Sequence, residues 1–456
     1  MTRPAGTGEH VRANHRRALL IVNAEVEGVA NLDVRCRDGK VVEIDRGLAG
    51  APGEATLDAR GGALLPGLND HHIHLFALAA ARRSVMCGPP SITSLAELGA
   101  ALEAAPGEDW IRGIGYHESV AGMLDRQALD HLRGDRPVRI QHRSGKMWFV
   151  NSLAIRRLGI DSGNGQLFRL DGLLRERLAE DDDLVGSVED TSRLLAGYGI
   201  TGITDATYTN DRTTEALYQR LDLCQRVNLM GDESLSRGSL KIMLDDAALP
   251  DLDGLERRIA KAHDRGRPVA FHCVTRTELV FALAALQSAG TIPGDRIEHA
   301  SVTDASAMRL MQDVSGSACH VAVVTQPNFI AERGDQYLRD VPPEDHDKLY
   351  RCRGFLEAGI PLGGGTDAPY GDPDAWAAMR AAVERRTTDG EVVGEHEALS
   401  PEQSLALFLT PLDDPGGTPR RIDVGAMAEF CVLAKPWKQA RTSLSSELIA
   451  ASVSNC

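Results

Sequence analysis

Two kinds of apolar patterning divide the chain. Near its beginning, Ala18-Leu19-Leu20-Ile21-Val22, Asp33-Val34-Arg35-Cys36-Arg37 and Lys40-Val41-Val42-Glu43-Ile44 read as short strands, and Asp38-Gly39 supplies a hairpin turn between the last two. Near its end, Glu429-Phe430-Cys431-Val432-Leu433 has the same character and follows Asp423-Val424-Gly425-Ala426. Strands at both ends, with none of this style between, predict a small β-sandwich domain assembled from residues 18–62 and 411–456.

The middle of the chain is patterned differently. Apolar strands such as Gly202-Ile203-Thr204-Asp205, Leu240-Lys241-Ile242-Met243-Leu244, Val269-Ala270-Phe271-His272, Arg296-Ile297-Glu298-His299, His320-Val321-Ala322-Val323-Val324 and Pro361-Leu362-Gly363-Gly364-Gly365-Thr366-Asp367 alternate with helical stretches. Leu255 to Arg265 and Leu279 to Ala289 are examples of the latter. This alternation predicts a parallel α/β architecture, and at this length a (β/α)8 TIM-type barrel over residues 63–410. The stretch from about 86 to 165 does not keep the rhythm and reads as an inserted, lid-like segment. Residues 1–17 carry Arg and His without an apolar core, which fits a disordered leader and no signal peptide.

Composition narrows the function classes. A formal net charge of −15 over 456 residues argues against nucleic acid or an anionic membrane as partner. No stretch reaches the roughly 20 apolar residues that span a bilayer. The 8 cysteines are scattered without a Cys-x-x-Cys pair, as expected of a cytoplasmic protein. The expected partner is a small-molecule substrate, and a homodimer is compatible with the sequence.

The candidate chemistry starts at Pro66-Gly67-Leu68-Asn69-Asp70-His71-His72-Ile73-His74. In an extended segment Asp70, His72 and His74 share one face, so two imidazoles can grip one divalent metal. Alone, the pair could equally be a polar strand end. Further polar residues sit in or at the ends of the later strands: Lys241, His272, His299 and Asp367. Lys241 to His272 and His272 to His299 each span one strand–helix unit, and His299 to Asp367 spans two. These residues therefore fall on strands one, four, five, six and eight of one barrel, at the face where barrel enzymes hold their sites.

His72, His74, His272 and His299 offer neutral nitrogen ligands. Asp367 offers a carboxylate that can ligate a metal and accept a proton from water. Lys241 cannot ligate as an ammonium. Carboxylated by CO2 it becomes an anionic carbamate able to bridge two ions; otherwise it acts as an amine or pairs with Asp245 or Asp246. His71 alternates away from His72 and reads as structural, and His320 begins its strand, which disfavours a ligand role.

Asp70, His72 and His74 after Pro66-Gly67 resemble the signature strand of the amidohydrolase superfamily of metal-dependent hydrolases. The resemblance covers most of the chain and is nearest to the branch containing N-substituted formamide deformylases. Trp110 to Tyr116, Leu124-Asp125, Arg136-Pro137-Val138, Val150-Asn151-Ser152, Asp295-Arg296-Ile297-Glu298-His299, Gln326-Pro327 and Leu399-Ser400-Pro401-Glu402-Gln403 are its other landmarks. The resemblance implies metal ligation by His72, His74, carboxylated Lys241, His272, His299 and Asp367. The chain departs from the branch at Lys146, where a His is usual, at Asp245-Asp246-Ala247-Ala248, where an Asp-Gly stretch is usual, and at Glu429, where Asp is common.

The expected function is hydrolysis of an amide, formamide or cyclic amide, with a metal-activated hydroxide as nucleophile and Asp367 as proton shuttle. The metal is a divalent ion, zinc as first choice, with one or two ions per chain according to the state of Lys241. Tyr116, His117, Lys146, Trp148 and Gln326 are candidate substrate contacts, with packing as the competing reading of each. Deaminase or esterase chemistry on the same site, and a non-catalytic binding protein of the same fold, are the alternatives.

Overall fold

The computed structural model describes residues 9–12, 18–89, 91–145, 147–168, 170, 184–315 and 321–454. Two compact units emerge: Met1–Leu75 with Glu189–Cys456, and Phe76–Val188.

In the first unit, strands from both chain ends share one eight-stranded sheet. Leu19–Val26 pairs antiparallel with Val29–Arg37, which turns at Asp38-Gly39 into Lys40–Asp45. Both turn residues have positive φ, +49° and +73°, the geometry a two-residue hairpin loop demands. Ala63–Pro66 joins this sheet to Phe430–Leu433, which pairs in turn with Ile449–Ser454. Glu9–Arg12 then pairs parallel with Ile449–Ser454, so the expectation of a disordered leader over 1–17 is corrected at these residues.

The chain breaks at the Pro66-Gly67 pair that precedes the His-x-His motif. Ala63–Pro66 and Leu68–Ile73 are separate strands in different sheets. The break falls at Gly67, whose N–H turns to Glu429 O at 2.9 Å while Leu68 N–H turns to Gly199 O at 2.8 Å. Pro66 has no N–H to continue a ladder, and the chain changes sheets there.

Eight parallel strands make up the rest of this unit's sheet structure: β1 (Leu68–Ile73), β2 (Ile200–Asp205), β3 (Arg226–Leu229), β4 (Leu240–Met243), β5 (Val269–Cys273), β6 (Arg296–His299), β7 (Ala322–Thr325) and β8 (Leu362–Gly364). They form a three-stranded sheet, β3-β2-β1, and a five-stranded sheet, β4-β5-β6-β7-β8. Helices such as Leu252–His263 and Arg276–Ala289 alternate with them. Hydrogen bonds connect the two sheets at both margins. Lys241 N–H donates to Gly231 O at 2.8 Å just beyond β3, and Asp367 N–H donates to His72 O at 2.8 Å just beyond β8. Gly365 permits the second approach: a Cβ there would lie 2.6 Å from His72 Cβ and 2.8 Å from its nitrogen.

The second unit contains a five-stranded sheet, with Ile111–Tyr116, Val138–His142 and Met147–Val150 at its centre. The inserted segment expected over 86–165 falls within it. Among the described residues, no helix is long and apolar enough to cross a membrane.

Candidate active site

His72 lies in β1, and His74 follows directly after the strand. Lys241 lies in β4, His272 in β5 and His299 at the end of β6, while Asp367 follows β8. The structure brings them together. One ligand atom each from His72, His299 and Asp367 lie within 4.8 Å of one another. The His272 and His299 ring centroids are 4.6 Å apart, and those of His72 and His299 are 4.8 Å apart. Both His72 Nε2 and His74 Nε2 face the same Asp367 Oδ1, at 3.3 and 3.2 Å.

The polarity of these imidazoles is set from behind. His72 Nδ1 contacts Glu298 Oε2, His74 Nδ1 contacts Thr207 Oγ1 at 2.8 Å, and His299 Nδ1 contacts Gln326 Oε1 at 2.7 Å. A proton held on Nδ1 by such acceptors leaves the Nε2 lone pair free to ligate a metal. Asp367 Oδ1, despite its two imidazole neighbours, accepts no hydrogen bond among the described residues. Converging nitrogen lone pairs and a bare carboxylate oxygen, all buried, fit a cation and do not satisfy one another.

The backbone around the cluster departs from the common regions. His299, Ala300 and Asp367 have φ of +69°, +47° and +56°, conformations that cost free energy for residues with a Cβ and concentrate at functional sites. Asp70 braces the same region. Its carboxylate accepts from His72 N–H at 3.1 Å, Thr366 N–H at 3.1 Å and Thr366 Oγ–H at 2.6 Å, tying β1 to the chain just after β8. Asp70 thus ties together the segments that carry His72 and Asp367 and stands outside the candidate cluster.

Burial dominates the electrostatics. It pushes His272 down to about 3, with the Lys241 charge adding to the effect, and holds His299 well below its ordinary value. These imidazoles are neutral, as ligands must be. Burial also lowers Lys241 to about 8, against the pull of Glu298. Its Nζ has no hydrogen-bond partner among the described residues, so the expected alternative of an ion pair with Asp245 or Asp246 is corrected. Asp245 instead caps a short 3-10 turn, and Asp246 accepts from Thr275 Oγ1 at 2.7 Å.

Other site expectations meet different partners. Gln326 is fully buried, with its Oε1 2.7 Å from His299 Nδ1. Tyr116 is buried in the core of the second unit, its hydroxyl donating to Gly122 O at 2.7 Å. Trp148 packs with Val150, Ala154, Leu158 and Leu167, flanked by Arg112 and Arg139. Both are buried among residues of their own unit. His117 Nδ1 is engaged by Ser119 Oγ, and its Nε2 lies 3.5 Å from Glu118. Lys146 and His320 lie outside the described residues. His71 bonds Thr410 Oγ1 at 2.8 Å, the structural role expected of it.

Sequence reasoning missed Thr207, Glu298 and Thr366. Glu298 left a usable signal: Arg296 and Glu298 are oppositely charged, two apart, on a strand otherwise patterned for burial.

The sequence profile described as "Amidohydrolase family" matches residues 55–451. The chain belongs to the amidohydrolase family. It is a hydrolase of carbon–nitrogen bonds other than peptide bonds. An N-substituted formamide deformylase from Arthrobacter pascens is 24% identical over 517 aligned positions, spanning 91% of this chain and 93% of the relative. Among solved structures, an uncharacterized metal-dependent hydrolase from Pyrococcus furiosus is 20% identical with a TM-score of 0.72, covering 92% of this chain and 99% of its own. N-isopropylammelide isopropylaminohydrolase from Burkholderia multivorans is 16% identical with a TM-score of 0.52, covering 96% and 98%. The metal-dependent character of the family agrees with the His72, His299 and Asp367 cluster, which suits a divalent ion.

Proposed function

We propose that this amidohydrolase cleaves a small amide, formamide or cyclic amide at a divalent metal centre, zinc by preference, in a closed (β/α)8 barrel. The hydrogen bonds at the β3/β4 and β8/β1 margins support closure. For the terminal sheet we propose a small sandwich, supported by a single core that joins Ile21, Val34, Phe430 and Val453. Nitrogen and oxygen donors of this kind suit zinc, though they also serve other divalent ions.

The observation that carries the functional reading is the single Asp367 oxygen faced by two imidazole nitrogens and bonded to neither. His72, His74, His272 and His299 would hold the ion. A divalent metal there supplies Lewis acidity, polarising a carbonyl and acidifying water. Asp367 accepts the proton of the attacking water and delivers it to the leaving nitrogen. The water oxygen adds to the carbonyl carbon, the C–N bond breaks, and a carboxylate and an amine leave. Lys241, buried and lowered to about 8, has a neutral amine fraction able to add CO2 and release a proton; the resulting carbamate would supply an anionic ligand and raise the ion count from one to two.

The test is a hydrolysis screen over N-formyl, N-acyl and cyclic amides, using zinc-loaded and chelator-treated protein. Amine release from at least one class, lost on chelation and restored by zinc, is expected. Turnover unaffected by rigorous chelation, or a purified chain that takes up no divalent ion, overturns the reading.

A further inference from the structure

Behind the metal cluster lies a charged chain that the hydrolytic step does not use. Arg296 and Glu298 stand two residues apart on β6, and both are buried. Arg296 Nε donates to Glu298 Oε1, and Arg296 Nη2 donates to His71 O at 2.9 Å on β1. The other oxygen of Glu298 meets His72 Nδ1. Two side chains from β6 thus seize both halves of the His71-His72 segment. Strands β1 and β6 share no ladder, since β6 pairs with β5 and β7. The contact therefore runs side chain to strand.

We infer that Glu298, held by Arg296, is a positioning residue that fixes the orientation and tautomer of His72 and strengthens it as a metal ligand. The inference rests on the metal-centre reading above. His74 and His299 have neutral partners, a hydroxyl and an amide, behind their Nδ1 atoms. Only His72 among these three is backed by a carboxylate. An anion accepting from Nδ1–H draws that proton toward itself and raises electron density on Nε2. Arg296 completes the arrangement. Its guanidinium occupies the oxygen that His72 leaves free, keeps the carboxylate ionised in a buried setting, and anchors the ligand strand through the His71 carbonyl.

The amide of Glu298→Gln is nearly isosteric but can present its oxygen to only one of two donors. It must turn its NH2 toward either Arg296 or His72. The test uses the full chain, stripped of metal and titrated with zinc against a chromophoric chelator, as wild type, Glu298→Gln, His72→Ala and the double variant. Glu298→Gln should weaken zinc binding about 10–100-fold. In the His72→Ala background the same change should shift affinity by less than about twofold, because Glu298 acts through His72. Arg296→Lys, which keeps the charge and loses the fork, should weaken binding in the same direction but less. The cobalt-loaded Glu298→Gln protein should show a shifted visible absorption band. Wild-type zinc affinity in Glu298→Gln overturns the inference, as does an equal loss with and without His72. A wild-type chain that binds no zinc overturns the metal-centre reading beneath it, a separate and distinguishable outcome.

Discussion

Thr366 Oγ1 donates to Asp70 Oδ2 at 2.6 Å, so a hydroxyl beside Asp367 is bonded to the first residue of the Asp-x-His-x-His motif. The same carboxylate holds two backbone N–H groups, all within a fully buried environment. Asp70→Ala strands three donors at once. It should cost about 2–3 kcal/mol of stability in the metal-free protein and weaken zinc binding as well. Urea unfolding with and without zinc measures both. A stability loss unaccompanied by weaker zinc binding would confine Asp70 to the fold.

Lys241→Met should separate stability from function. Its ammonium is buried with its pKa lowered to about 8, which corresponds to a penalty of roughly 3 kcal/mol in the folded state. That penalty is present below about pH 8 and gone once the unfolded-state lysine has also titrated, above about 10.5. At pH 7 the metal-free Met variant should therefore unfold at higher denaturant than wild type, while hydrolysis falls about 100-fold or more. Carboxylation should appear in wild type as a carbamate carbon resonance after labelled bicarbonate, absent from the variant.

Acid should destabilise the metal-free protein from pH 6.5 downward. Burial lowers His71 and His272 to about 3 and His299 in the same direction. Between 6.5 and 3 the unfolded chain binds protons at these histidines that the folded chain does not, so stability falls as pH falls, by about 1.4 kcal/mol per pH unit per proton. Asp70, raised to about 6 by burial, opposes this between about 6 and its ordinary value near 4, but by one proton at most. His72 is raised, so its effect lies above 6.5. Denaturant midpoints at pH 7, 6 and 5 should decline steadily, and His272→Gln should flatten the decline. A flat profile would contradict the neutral, buried state assigned to these rings.

Asp367→Asn should leave zinc content largely intact through the imidazoles while lowering kcat by about 10²–10⁴-fold, the range for removal of a proton-transfer group. KM should change little. Metal analysis alongside steady-state kinetics distinguishes this from simple loss of the ion.

Glu429 offers a control outside the site. It is buried, accepts from Arg226 Nε and Nη2 at 2.7 and 3.0 Å, and lies 3.6 Å from Arg420. Glu429→Ala should cost about 3 kcal/mol by leaving two guanidinium groups without their anion. Its kcat at a temperature where it remains folded should match wild type.

The residues that cluster at the candidate site were legible in the sequence because period and spacing carry them: His72 and His74 by alternation, and Lys241, His272, His299 and Asp367 by their recurrence along strand–helix units. The hairpin at Asp38-Gly39 was legible from turn chemistry. What escaped was whatever depends on contacts between distant segments. Glu298 meets His72 across 226 residues and Asp70 meets Thr366 across 296, and one sequence does not announce such pairs. Tyr116 and Trp148 stayed ambiguous for a related reason: an aromatic with a polar handle looks the same at a pocket and in a core until its neighbours are known. The Pro66-Gly67 pair marked a break in the pattern, but the exchange of one sheet for another at Gly67 depends on Glu429 and Gly199, which are distant in sequence.

The pairing of Leu64 with Val432 has a consequence for how the molecule is made. A strand synthesised early must wait for one synthesised late, with the whole catalytic region emerging from the ribosome in between. Until then the apolar faces around Ile21, Val34 and Leu64 lack the cover that Phe430, Val432 and Val453 give them in the finished core. The half-sheet made by the first strands therefore keeps apolar surface uncovered until the last strands are made, a state in which such chains are prone to association.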